Sequence, residues 1–268
     1  MPLGLLPIAL LLGSGALVGA TLGLIGGGGS VLAVPLLVYL VGVPSTHVAI
    51  GSSAVAVAAS AAWGLASHAR LGTVKWPCAL VFTAAGVAGA FAGAALGKQL
   101  GGTELLALFG MVMVGIGLYM LTSRPRAADH DVRLNAESAA YLLPRLLLIG
   151  GGVGLLSGFF GIGGGFLIVP GLVLATGMGL QNAIGTSLFA VTAFGLATAL
   201  SYAVSGFVDW RIALLVIAGG ARGTLIGTRA NAELAGHKRA LASVFAGVVI
   251  AVGLYILASG IVKLVPAA

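Results

Sequence analysis

Charge is what this sequence has least of. Asp, Glu, Lys and Arg make up 7% of the 268 residues, against 59% hydrophobic. Soluble domains carry about 25% charged residues, so a soluble globular domain is excluded. Cysteine occurs once, at Cys78, which rules out an intrachain disulfide and leaves the redox compartment unmarked. The acidic residues are Glu104, Asp129, Asp131, Glu137, Asp209 and Glu233, all in loops or at the ends of apolar segments. None stands at mid-span, where proton-coupled transporters usually keep one. No group of His, Cys, Asp or Glu has metal-ligand spacing, and no cofactor is expected. No Lys or Arg precedes the apolar stretch from Leu3 to Leu12, so it reads as a first membrane segment, not a cleaved signal peptide.

What is abundant is apolar sequence. Mean hydropathy is +1.16, and apolar stretches of about 20 residues recur along the chain. Short alternating strands of a membrane barrel are missing, and lipid demands internally satisfied backbone groups, which leaves helices. The expected fold class is an all-α polytopic membrane protein. The net charge of +7 sits in short loops, where it sets topology, so no nucleic-acid partner is expected.

The most hydrophilic stretch, Ser123 to Ala140, divides the chain into two halves that align with each other. Gly26, Gly28, Gly29 and Pro35 match Gly161, Gly163, Gly164 and Pro170 at a shift of 135. AIGSS (Ala49 to Ser53) matches AIGTS (Ala183 to Ser187), and GTVKW (Gly72 to Trp76) matches GFVDW (Gly206 to Trp210), at a shift of 134. Residues 1–122 and 141–268 are therefore expected to be two transmembrane repeats joined by a cytoplasmic linker, 123–140. Each half divides into five segments: 3–25, 29–42, 46–67, 76–98 and 104–122, then 143–160, 164–177, 181–204, 211–232 and 239–262. The second segment of each half is short for a full span and starts at a glycine run. If every segment crosses, nine Lys and Arg fall on one side, three on the other, and Arg222 within a span. The positive-inside rule then favours an inverted repeat of about ten segments with both termini outside.

The glycine runs concentrate the chemistry. A helix restarted inside a membrane offers free N–H groups and partial positive charge, a ready anion site, and glycine lets the backbone turn and approach a ligand. Gly27, Gly28, Gly29 and Ser30 are candidates in the first half, and Gly163, Gly164 and Gly165 in the second. If their N-termini face each other they make a symmetric anion cradle. Gly51, Ser52 and Ser53, matched by Gly185, Thr186 and Ser187, could add hydroxyl donors or simply bond between and along helices. Gly86, Gly89 and Gly93, with their counterparts Gly220, Gly223 and Gly227, are read as helix-packing residues. Arg222 lies at the centre of its segment. Insertion there costs about 2.5–3.5 kcal/mol, and an intramembrane charge is functional by default, so it is expected to bind the anion. Its counterpart is Ala88.

The duplicated glycine break followed by proline, with AIGSS and AIGTS after it and GTVKW and GFVDW beyond, resembles the sulfite exporter TauE/SafE family over about residues 10–260. The resemblance implies an inner-membrane permease for a small sulfur-containing anion such as sulfite or sulfoacetate, working in the lipid bilayer; a homo-oligomer is compatible with it. The negative interior drives an anion outward, worth about 2.3 kcal/mol per charge per 100 mV, which fits uncoupled export. A channel-like facilitator is the nearest alternative. An intramembrane serine hydrolase using Ser52 or Ser53 would need a base; His47 and His68 occur only in the first half, whereas the Gly-Ser feature is duplicated. No enzyme activity is expected.

Overall fold

The computed structural model describes residues 5–122, 136–161, 165–233 and 238–264. It is built of helices: α1 (Leu5–Ile25), a 3-10 turn (Gly26–Leu32), the short α2 (Ala33–Pro35), a π-turn (Leu36–Leu40), α3 (Thr46–Arg70), α4 (Trp76–Gly97), α5 (Gly102–Thr122), α6 (Ala136–Phe160), α7 (Gly165–Thr176), α8 (Leu180–Val204), α9 (Trp210–Glu233) and α10 (Lys238–Leu264). Seven of these have the length and apolarity to cross a membrane; the stretches Ser30–Leu40, Leu167–Thr176 and Ala246–Ser259 are apolar but shorter. Large apolar side chains crowd the outer surface, with Leu148 77% exposed and Leu214 63%. Water would not tolerate such a surface on a monomer; lipid does. This is a multi-pass helical membrane protein. The helix α6 begins at Ala136, inside the stretch expected to be linker, because AESAAY is good helix-forming sequence.

Helix pairs in lipid are held by close packing, and small residues set which ones approach. On α1, Gly15, Gly19 and Gly23 face Val216, Gly220 and Thr224 of α9 in that order, so the two helices run parallel. On α4, Gly86, Gly89, Gly93 and Gly97 face Gly150, Gly151, Leu155 and Phe159 of α6, again parallel. A side chain at Gly19 or Gly93 would strike the opposing backbone carbonyl; Gly89, Gly93, Gly223 and Gly227, expected to be packing residues, all stand against backbone of the partner helix. Each such pair joins the first helix of one half to the fourth of the other.

The third helices pair antiparallel. Ser52, near the start of α3, meets Asp209 just past the end of α8, and Thr186, near the start of α8, meets Lys75 just past the end of α3. The fifth helices are antiparallel too: Gly110 faces Gly253, and Gly117 faces Ile250 and Ala246. Ser60 and Gly64 of α3 face Gly220 and Thr224 of α9, so α1 and α3 both run with α9. The chain between them, 26–45, therefore carries the backbone from one end of the bundle back to the other. Residues 161–179 do the same, since α6 and α8 both run with α4. The bundle thus has a Lys75 end and an Asp209 end.

Candidate functional site

The two glycine runs lie where the first helix of each half gives way to its short second segment. Gly26 and Gly161 both take the left-handed conformation, at φ 73° and 67°, which only glycine adopts freely. Each packs on the start of the third helix of the other half. A methyl group at Gly26 would lie 2.8 Å from Ile184 Cγ2, and one at Gly161 would overlap Ile50 Cγ2. After the turn the two copies diverge. Gly26–Leu32, which contains Gly27, Gly28, Gly29 and Ser30, winds as a 3-10 helix and passes through α2 into a π-turn. Ser30 is fully buried. In the second copy the described residues after the break form the α-helix Gly165–Thr176, with Pro170 inside it. Gly163 and Gly164 lie outside the described residues.

The restarted N-termini do not face one another. Ile184 and Ile50 sit toward opposite ends of the antiparallel α3–α8 pair, Ile50 being beside Gly51, which abuts Tyr202 Cβ at 3.0 Å. From Ile184 to Tyr202 is about 27 Å of helix at 1.5 Å per residue. The expected single cradle is therefore two separate breaks, one toward each end, because the antiparallel α3–α8 pair carries matched residues to opposite ends.

The Gly-Ser pairs brace the same regions. Ser52 Oγ accepts from the Asp209 amide at 2.9 Å, and Thr186 Oγ1 accepts from the Lys75 amide at 3.0 Å. Ser53 Oγ and Ser187 Oγ donate one turn back, to the Ile50 and Ile184 carbonyls at 3.0 and 2.7 Å. All four side chains are buried. Gly51 makes room for the Phe207 carbonyl, and Gly185 for Thr73, whose Oγ1 would be 2.5 Å from a methyl there. Sequence reasoning left these hydroxyls between binding and helix packing. Their bonds tie each third helix to the loop that follows its counterpart, and each Ser52 or Thr186 hydroxyl keeps its proton for another acceptor.

Arg222 is not brought to the breaks. It is exposed on the outer face of α9, in a stripe with Leu214, Ala218 and Ile226, while the opposite face of α9 packs on α1 through Gly219 and Gly223. Helical period puts it there, on the side of α9 that faces away from α1. Sequence reasoning missed Lys98, whose Nζ donates to Ser201 O, Ser201 Oγ and Ser205 Oγ at 3.1, 3.0 and 3.0 Å and so ties the end of α4 to the end of α8. It also missed Tyr202, which belongs to no motif and whose one sequence mark is that it stands at the 134 shift from His68.

The family model described as "Sulfite exporter TauE/SafE" matches residues 11–256. A "Probable membrane transporter protein" of Xylella fastidiosa (strain 9a5c) is 48% identical over 92% of this chain and 93% of its own length. "Probable membrane transporter protein YunE" of Bacillus subtilis is 27% identical over 92% and 96%. "Probable membrane transporter protein MJ0441" of Methanocaldococcus jannaschii is 26% identical over 94% and 96%. No solved structure matches significantly.

Proposed function

Since the chain belongs to the sulfite exporter TauE/SafE family of membrane transporters, we propose that it exports sulfite or a related small organosulfur anion across the inner membrane. The observation that carries this reading is the pair of matched breaks, Gly26 and Gly161, each left-handed and each seated on the other half. Backbone turned in this way inside lipid needs a partner or a water-filled path, and amides at a restarted helix suit an anion. In this reading each break binds the anion in its own right, through Gly27, Gly28, Gly29 and Ser30 after Gly26 and through Gly163, Gly164 and Gly165 after Gly161. The hydroxyls of Thr186 and Ser187, beside Gly185, serve the first, and those of Ser52 and Ser53, beside Gly51, the second.

In this reading 1–122 and 141–268 are inverted repeats of five segments each, ten in all, joined by the cytoplasmic linker 123–140, with both termini outside. The antiparallel α3–α8 and α5–α10 pairs support the inversion, and the return of 26–45 and 161–179 along the bundle supports the count. Inverted repeats that rock about a shared axis open a path to one side at a time. Lys75 then marks the cytoplasmic end and Asp209 the outer end. The membrane potential alone drives the anion out, so no coupled ion is invoked.

The test is labelled-sulfite flux in proteoliposomes with the potential clamped at several values, and sulfate and sulfoacetate as competitors. Saturable flux that scales with potential without an ion gradient is the expected result. Strict dependence on a proton or sodium gradient defeats uncoupled export, and absence of sulfite flux defeats the substrate. Counterflow separates a carrier from a channel-like facilitator. Reagent accessibility of single cysteines at 68–75 and 206–210 checks the inversion: labelling from the same side overturns it.

A further inference from the structure

Among the buried polar atoms with nothing to bond are Tyr202 Oη and His47 Nδ1, both at the Asp209 end. Tyr202 is 0% exposed. The His47 ring centroid lies 6.3 Å from that of Tyr202 and 5.3 Å from that of Phe207. The Lys98 ammonium stands 5.8 Å from the Tyr202 ring centroid. It shares its protons with Ser201 and Ser205 but keeps its charge. One turn of α3 separates His47 from Ile50, on which the Gly161 break rests.

A buried hydroxyl without a partner is unfavourable. Phenylalanine would fill the same space with nothing left unpaired. What would complete the Tyr202 hydroxyl is a species the chain does not itself supply. Its chemistry follows from the surroundings. The cluster holds a cation, a hydroxyl donor and an imidazole. Of the carboxylates at this end, Asp209 Oδ1 accepts the Arg211 and Ile212 amides at 2.9 and 3.3 Å and caps α9, and Glu104 stands beside Gly101 at the start of α5. The charged group in contact with Tyr202 is the Lys98 ammonium, and a small oxyanion would find its counter-charge there.

We propose that Lys98, Tyr202 and His47 form a binding station for a small oxyanion at the Asp209 end, beside the second break. This rests on the reading of the chain as an anion transporter, and adds to it a site that belongs to one end only. The counterpart of Tyr202 is His68, whose Nδ1 is already 3.0 Å from Thr73 Oγ1. The counterpart of His47 is the exposed Gln181, and that of Lys98 is Ala232. An anion therefore meets a charged station on one side of the membrane and none like it on the other.

The experiment is equilibrium binding of radiolabelled sulfite, with sulfate as a second probe, to the purified full-length protein in detergent. Tyr202→Phe, His47→Gln and Lys98→Gln are each expected to weaken sulfite binding at least fivefold, and His68→Phe to leave it unchanged. Thermal unfolding of Tyr202→Phe is expected at the wild-type temperature or above, since no bond within the protein is lost. Wild-type affinity in Tyr202→Phe and His47→Gln overturns the station and leaves anion transport standing. A lowered melting temperature of Tyr202→Phe at unchanged affinity also overturns it, by revealing an internal partner for the hydroxyl. A wild-type protein that binds neither probe overturns the anion reading itself, and the station with it.

Discussion

At the Lys75 end, the Lys75 amide donates to Thr186; at the Asp209 end, the Asp209 amide donates to Ser52, and the two bonds are 3.0 and 2.9 Å long. There the likeness of the two ends stops. Asp209 goes on to cap α9 with its carboxylate, while Lys75 offers α4 no side-chain cap and the helix starts instead on Trp76 and Pro77. His68 is paired where Tyr202 is not. The stretch Leu36–Leu40 winds as a π-turn, while its counterpart lies in the α-helix Gly165–Thr176. The two halves follow one backbone plan, and what they share is the part that joins them. What they do not share lies at the two ends of the bundle.

The shared part is easiest to break at the left-handed glycines. Alanine at Gly161 must hold φ near 67° and place its methyl on Ile50; the strain and the overlap together should cost about 3 kcal/mol or more. Alanine at Gly26 meets Ile184 less deeply, at 2.8 Å, and should cost about 2 kcal/mol. Thermal unfolding in detergent should rank wild type above Gly26→Ala above Gly161→Ala. Equal stability of all three would show that neither break depends on a left-handed turn. Ile50→Ala removes the obstacle but opens a cavity of its own, so the loss from Gly161→Ala measured on the Ile50→Ala background, compared with that on wild type, separates the overlap from the conformational strain.

The matched braces come next. Ser52→Ala strands the Asp209 amide, and Thr186→Val strands the Lys75 amide, each within a part-buried loop. An orphaned donor costs about 1–3 kcal/mol, so the two variants should destabilise alike. They lie at opposite ends, so their effects should add in the double variant, as distant sites do. Unequal losses, or strong coupling, would mean that the ends communicate through the α3–α8 pair.

Much of this was legible in the sequence for a physical reason. Lipid allows little but helices, so the apolar segments mark the elements, and the expected segments fall within a few residues of the observed ones at α3, α4, α5 and α8. Matched motifs point to matched turns: Gly72 and Gly206, which open GTVKW and GFVDW, are left-handed at φ 68° and 75°. Facing was not legible. Whether Arg222 turns inward depends on which side of α9 meets α1, and that is decided by Gly219 and Gly223 finding Leu12 and Ala16 across the interface. The two breaks likewise match in sequence but separate in space, since an antiparallel α3–α8 pair carries like residues apart. Tyr202 and Lys98 escaped notice because neither belongs to a motif; only their neighbours in space give them a role.

The Asp209 cap tests the unshared part at a smaller scale. Asp209→Ala should cost about 1 kcal/mol, the usual worth of an N-cap carboxylate, while Lys75→Ala, which removes no cap, should cost close to nothing. Equal losses would mean that α9 does not depend on its cap.

The smallest effect is expected at Arg222. It sits in the outer stripe of α9, apart from both breaks, so Arg222→Gln should leave sulfite flux within about twofold of wild type, a difference worth well under 1.4 kcal/mol. Replacing a charge in the middle of a lipid-facing helix by a neutral amide also lowers an insertion penalty of about 2.5–3.5 kcal/mol, so the variant should insert and fold at least as well. Flux measured beside expression level separates the two effects. A folded Arg222→Gln protein with no flux would return the arginine to the substrate path. Its exposed face on a single chain would then have to be covered in the working protein by a second copy.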